Sequence, residues 1–398
     1  MATKFMSAPK EHYATRRFGA QGCGGRPMSA RRLRSVAPVW SARLNDVDDG
    51  LLALIDLEVS APPTDLVGDT AVILLCSEQG PPAAVLKVAR GRLSGADLRT
   101  QRRVLAELAI HHGLDDEWRA VLPRILAFNE RGDATMSVES YVPGIDLAEA
   151  LASHPNDVQD LTAAALRGIA PLHRQTANFI RVDNICYLRR WVLEPLTDLS
   201  YMCQRLDPSL VSGVDRLGVI LRRELLGRRL RVSWTHGDFT PGNVRVAGPR
   251  GPVTGIVNWG GGRPGQPSLI DEYLMVLSVS CLTERAEFGA IVADRVRAGG
   301  LSDFERRALD AADRSDTEVC DQEHGDAHID EHVAILLTWL HRVTDRWRKR
   351  ATHPNQHLWW ATNVAPVLDA VAARHGFGVS GARAHASRDV NLANHVDG

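Results

Sequence analysis

The chain has 398 residues, 44% of them hydrophobic, enough for a sizeable core shared between two lobes. Its formal net charge of -1 sets up no global field, so nucleic acid and anionic membrane surfaces are not expected partners. No uninterrupted run of about eighteen apolar residues occurs, so no transmembrane helix is expected.

The N-terminus lacks the apolar centre of a secretory signal. Six cysteines (Cys23, Cys76, Cys186, Cys203, Cys281 and Cys320) form no C-x-x-C pair and no dense framework. They read as free thiols in a reducing, cytoplasmic setting.

Residues 1–35 are basic, rich in Arg, Ser, Gly and Ala, and without periodicity, which predicts a disordered arm. A first lobe is expected over residues 36–141. It opens with a mixed apolar strand at 51–59, followed by a turn-rich loop containing Gly68. Two β-rich runs, 71–77 and 83–88, flank Glu78-Gln79-Gly80-Pro81-Pro82, a hairpin signal. Lys87 lies inside the second run between Leu86 and Val88. A lysine there is either an edge residue snorkelling outward or a functional cation.

Residues 94–112 predict a helix with Leu98, Val104, Leu105, Leu108 and Ala109 on one face. Two more strands, 122–128 and 135–141, surround a Glu130-Arg131-Gly132-Asp133 turn, and the second ends in Glu139-Ser140-Tyr141-Val142-Pro143-Gly144.

A second, mainly helical lobe is expected over 142–378, with a polar tail at 379–398. Helices are predicted over 147–154 and 158–176. One or two more fall within 185–230, carrying Tyr187, Trp191 and Tyr201. Beyond residue 270, helices are predicted over 273–283, 285–298, 303–314, 331–350 and 358–374. Cys320, His324, His328 and His332 recur every four residues, a spacing that could line a Zn²⁺ site on a continuous helix. Gly325 and the surrounding acids favour a solvated polar loop instead.

Residues 232–259 hold the densest signal. His236-Gly237-Asp238-Phe239-Thr240-Pro241-Gly242-Asn243 forms a tight polar loop, followed by strands at 243–247 and 254–258 around a Gly/Pro turn. A carboxylate and a carboxamide five residues apart on such a loop can turn into one cleft. One can orient a hydroxyl and the other can hold a cation. The bland alternative is a capped turn, since Asp and Asn both favour turns. The strand ends in Ile256-Val257-Asn258-Trp259, and Gly260-Gly261-Gly262 follows as a flexible loop.

These residues resemble the aminoglycoside phosphotransferase family, a branch of the protein-kinase-like fold. That family carries a His-Gly-Asp-four-Asn loop and an Ile-(Ile/Val)-Asp-Trp strand end. The resemblance covers roughly residues 50–375. It implies a bilobal α+β fold: an N-terminal lobe with a mostly antiparallel sheet and one helix, and a larger helical C-terminal lobe.

The resemblance implies that Asp238 is the catalytic aspartate, that His236 braces the loop, and that Asn243 binds Mg²⁺. Lys87 would reach the ATP phosphates, and Glu139 and Tyr141 would stand at the hinge where backbone groups meet the adenine. Gln101 falls where the family's helix carries the glutamate that pairs with the lysine, so it is expected to hydrogen-bond Lys87 without a charge. Glu107 lies on another face. Leu172-His173 and Asp271 match family positions and read as structural.

Asn258 replaces the metal-binding aspartate, and Mg²⁺ prefers charged oxygen ligands. The resemblance therefore supports an ATP- and Mg²⁺-dependent phosphotransferase acting on the hydroxyl of a small molecule. The alternative is a pseudokinase-like protein that binds nucleotide or a partner without phosphoryl transfer. The acceptor has no portable motif.

Overall fold

The computed structural model describes residues 70–76, 82–132, 134–248, 250–313, 329–350 and 356–376. The expected basic arm, the strand at 51–59, Gly68, the hairpin turn at 78–81, Cys320, His324, His328 and the polar tail lie outside the described residues. The chain divides into two compact units. One comprises residues up to Ala177 together with Ser233–Gly265, and the other Asn178–Val232 together with Gln266 onward. Both mix antiparallel strands with helices, so the class is α+β.

The first unit is built on a four-stranded antiparallel sheet. Strands β1 (Thr70–Cys76) and β2 (Pro82–Arg90) are joined by helix α1 (Arg92–Ala109) and a single turn (Asp116–Arg119) to β3 (Ile125–Arg131) and β4 (Ala134–Ser140). The strands lie in the order β1-β2-β4-β3. Successive strand residues face opposite sides, and the sequence uses both. Ala71, Ala84, Leu86, Val88, Met136 and Val138 form an apolar cluster on one side. Val85 and Lys87 face the other. Lys87 pairs with Ser137 across the strands and Val85 with Glu139, so Lys87 and Glu139 are diagonal neighbours on one face.

Helix α1 covers that face. Its buried positions are Gly95, Leu98, Gln101, Val104, Leu105 and Leu108, the i, i+3, i+4, i+7 stripe of a half-buried helix. Gln101 is the one polar long side chain in the stripe. Glu107 points away and lies 3.8 Å from Arg103 on the exposed side.

Helices Leu147–Ser153 and Val158–Gln175 follow. A small sheet then assembles from Ile145–Asp146, Val244–Val246 and Val253–Ile256, with Val244–Val246 in the middle. Trp118 ties these parts together: its indole N–H donates to the Gly168 carbonyl (2.9 Å), and its ring meets Trp259 edge-on at 6.1 Å.

The second unit is mainly helical. Helix Leu269–Glu284 is its centre, with buried residues on every side, and helices Phe288–Ala298, Asp303–Asp313 and Glu331–Arg350 pack on it. Arg295 is buried among carboxylates, with Glu305 at 2.9 Å and Glu284 at 2.5 Å. The expected helix at 358–374 is two helices, Gln356–Asn363 and Ala365–Gly376. Pro366 is tolerated in the first turn of the second, whereas continuation through it would cost a backbone hydrogen bond.

Residues 185–230 hold two helices, Glu194–Leu206 and Val211–Leu225, the first entered through a π-helical turn at Arg189–Leu193. An unexpected strand lies just upstream: Asn178–Arg181 pairs antiparallel with the segment from Arg229 to Val232. Among the described residues no helix is long and apolar enough to cross a membrane.

Candidate active site

All eight residues singled out in the sequence fall within the first unit. Six of them join in one chain of polar contacts. The Lys87 ammonium, only 5% exposed, lies 2.9 Å from Glu139 Oε2 and donates to Asn258 Oδ1 at 3.0 Å. The Gln101 amide donates to Glu139 Oε1 at 2.6 Å. Asn258 Nδ2 donates to Asn243 Oδ1 at 2.7 Å, and Asn243 Nδ2 donates to the Asp238 carbonyl at 2.7 Å. The buried polar atoms are thus satisfied in sequence, as the low dielectric demands.

This arrangement corrects the expectation for Gln101. It does not bond to Lys87. Its amide holds the carboxylate of Glu139, and Glu139 supplies the counter-charge to the lysine. Glu139 was expected only as part of the hinge. The cation and the acid come from adjacent strands, and the amide comes from α1. Charge is balanced within the cluster: one ammonium, one carboxylate and neutral amides.

The His-Gly-Asp loop is held by its own side chains. His236 is fully buried. The Asp238 N–H donates to His236 Nδ1 (3.2 Å), which leaves the proton on Nε2 to donate to the Val257 carbonyl at 2.9 Å. The His236 ring also meets Trp259 at 4.6 Å and Phe239 at 6.1 Å. Gly237 has φ +73°, and a Cβ there would come within 2.2 Å of the Gly261 carbonyl oxygen. Only glycine combines that backbone with that approach.

The Gly260-Gly261-Gly262 stretch, expected as a flexible loop, is packed. It forms a 3₁₀ turn from Trp259 to Gly261 against α1, close enough that a Cβ on Gly262 would strike Val104 at 2.6 Å. A short strand, Arg263–Pro267, follows directly.

Between the four-stranded sheet and the paired strands Val244–Val246 and Val253–Ile256 lies a cleft. Its lining includes Val72, Leu74, Val85, Lys87, Glu139, Tyr141, Gly242, Arg245 and Asn258. The Tyr141 N–H donates to the Ala83 carbonyl (3.1 Å). Arg245 is a second cation at the cleft, 3.1 Å from Asp146. It is not among the residues expected at the site, although the strand alternates buried Val244 and Val246 around it and so turns Arg245 the other way.

The implied Mg²⁺ can be tested against its donors. The two candidate oxygens, Asn243 Oδ1 and Asn258 Oδ1, are both neutral, and both already accept an N–H. One of those donors is an ammonium 3.0 Å away. A hard divalent ion prefers carboxylate oxygens. The donor pair in this arrangement does not fit Mg²⁺. Among the described residues no group of three or more His, Cys, Asp or Glu side chains could hold a metal.

The family model described as the phosphotransferase enzyme family matches residues 72–311. That is more than half of the chain, and the protein belongs to this family, as a divergent member. No curated protein matches it.

Similar solved structures include an aminoglycoside phosphotransferase, APH(3'')-Id from Streptomyces rimosus, at 15% identity. The match covers 73% of this chain and 97% of that one, with a TM-score of 0.43. A thermostable mutant of APH(4)-Ia, in ternary complex with ADP and hygromycin B, matches at 13% identity over 84% and 98% of the two chains, TM-score 0.48. ADP-bound APH(2'')-Ib matches at 14% identity over 82% and 98%, TM-score 0.47.

Proposed function

We propose that the protein transfers the terminal phosphoryl group of ATP to a hydroxyl of a small molecule. The observation that carries this reading is the buried Lys87–Glu139 pair, joined by hydrogen bonds through Asn258 and Asn243 to the Asp238 loop. Phosphoryl transfer needs a cation at the phosphates and a carboxylate at the attacking hydroxyl, and little else from the protein. Lys87 neutralises the α- and β-phosphates. Asp238 orients the acceptor hydroxyl and takes its proton as the oxygen bonds to the γ-phosphorus and the bridge to the β-phosphate breaks, releasing ADP. The strand end at Glu139 and Tyr141 borders the adenine. The free thiols of Cys186, Cys203 and Cys281 suit a cytoplasmic setting.

A second reading rests on Asn258. With that position neutral and its amide engaged by Lys87 and Asn243, the cleft binds nucleotide without transferring phosphate. The readings separate in one experiment: ATP-induced thermal stabilisation, with Mg²⁺ and with EDTA, alongside ATP consumption over a panel of hydroxylated acceptors. Turnover that Asp238→Ala lowers by about 10²–10⁴-fold while sparing ATP binding supports the enzyme. ATP binding with no turnover on any acceptor supports the second reading. No ATP-induced stabilisation would sink both.

A further inference from the structure

We infer that Glu139 is the positioning residue for Lys87, and that Gln101 serves to hold Glu139 rather than to touch the lysine. The inference rests on the nucleotide-site reading above and assigns its control to residues of this chain.

Both carboxylate oxygens of Glu139 are occupied. Oε2 faces Lys87 Nζ at 2.9 Å, and Oε1 takes the Gln101 amide at 2.6 Å, with Ser137 Oγ at 3.3 Å. The site is closed: Glu139 is 2% exposed, Gln101 4% and Lys87 5%. An ammonium at this depth needs a counter-charge. Among the described residues Glu139 is the one carboxylate bonded to it, and Asn258 adds only a neutral oxygen.

The roles of amide and acid are therefore assigned by position. The diagonal of two paired strands delivers the acid to the lysine, with Val85 opposite Glu139 and Lys87 opposite Ser137. Helix α1 delivers an amide whose N–H₂ fixes the rotamer of that acid. A carboxylate at position 101 would set two negative groups around one ammonium; glutamine there supplies a donor without that repulsion. Glu139 acts through the lysine, setting where Nζ points along the cleft wall.

The test is a double-mutant cycle read in nucleotide affinity. Glu139→Gln, Lys87→Met and the double variant are titrated with ADP and ATP, and unfolding midpoints report folding. Glu139→Gln is expected to weaken ATP binding by about tenfold or more when Lys87 is present, and to add nothing in the Lys87→Met background. That coupling supports the role, because a purely structural effect would act equally in both backgrounds. Unchanged affinity in Glu139→Gln, or equal losses in both backgrounds, overturns it.

Should Glu139→Gln fail to fold, Gln101→Met poses the same question with the charge retained. A loss of affinity that depends on Lys87 supports the inference, and no loss overturns it. A wild-type protein that binds no nucleotide overturns the reading beneath, and the positioning role with it. A wild type that binds normally while the cycle shows no coupling overturns the positioning role alone.

Discussion

The Asn258 amide donates to Asn243 Oδ1 at 2.7 Å, so the two side chains expected to share a cation are bonded to each other. Asn258 has a left-handed backbone, φ 68° and ψ 53°, which asparagine and aspartate both tolerate. Asn258→Asp therefore changes charge and hydrogen bonding without adding backbone strain. The carboxylate cannot donate to Asn243, and it supplies the charged oxygen that Mg²⁺ prefers. Asn258→Asp is expected to make nucleotide-induced stabilisation depend on Mg²⁺ where the wild type shows little difference between Mg²⁺ and EDTA. Thermal shift with ATP in the two conditions checks it; an unchanged response would mean that this position does not limit metal binding.

Gly237 and Gly261 pack backbone to backbone, and this contact sets the height of the His-Gly-Asp loop. Gly237→Ala adds a methyl group 2.2 Å from the Gly261 carbonyl on a backbone with φ +73°. The left-handed conformation alone costs about 1–2 kcal/mol for an L-residue, and the clash adds to it. Urea unfolding should register a loss of at least that size. Turnover should fall further than stability, because Asp238 is the next residue.

Asp183 accepts the backbone N–H groups of Cys186 (2.8 Å), Ile185 and Tyr187 (both 3.2 Å). Those donors, led by Cys186, hold its carboxyl below the ordinary aspartate range. A depressed carboxyl stabilises the fold above its unfolded value, about 3.9. That contribution is lost as pH falls through the lower, folded value. Asp183→Asn should lower the unfolding midpoint at pH 7 and narrow its gap to the wild type as pH drops below about 4. Unfolding midpoints of both proteins between pH 2.5 and 7, about the span of interest, would show the convergence or its absence.

Cys186 is exposed and Cys203 buried. Burial, assisted by the Asp207 charge, pushes the Cys203 thiol up to about 12. Reactivity follows the thiolate. Alkylation at pH 8 should modify Cys186 readily and Cys203 at least about 10³-fold more slowly, until denaturant opens the unit. Peptide mapping of the alkylated protein reads the difference directly.

Long periodic segments were legible from sequence. The helix expected at 331–350 is Glu331–Arg350, and the stripe on α1 buries Leu98, Val104, Leu105 and Leu108 as its spacing required. Asn178–Arg181 was not legible, because its four residues are mostly exposed and show no alternation. The three glycines after Trp259 read as flexible from composition, and only their packing against Val104 and Asp97 reveals a rigid turn. The Lys87–Glu139 contact needed the strand register. Fifty-two positions separate the two residues in the chain, and nothing local to either names the other. The composition of position 101 was readable, but its partner was not.

The placement of Glu139 on β4 makes the charge pair a property of the sheet. Lysine and acid sit on neighbouring strands, so the pairing of β2 with β4 is enough to bring them together without α1. A sliding or tilting of α1 would free the Gln101 amide yet leave the charge pair standing. The charge pair thus belongs to the sheet, and α1 bears on it only through the Gln101 amide.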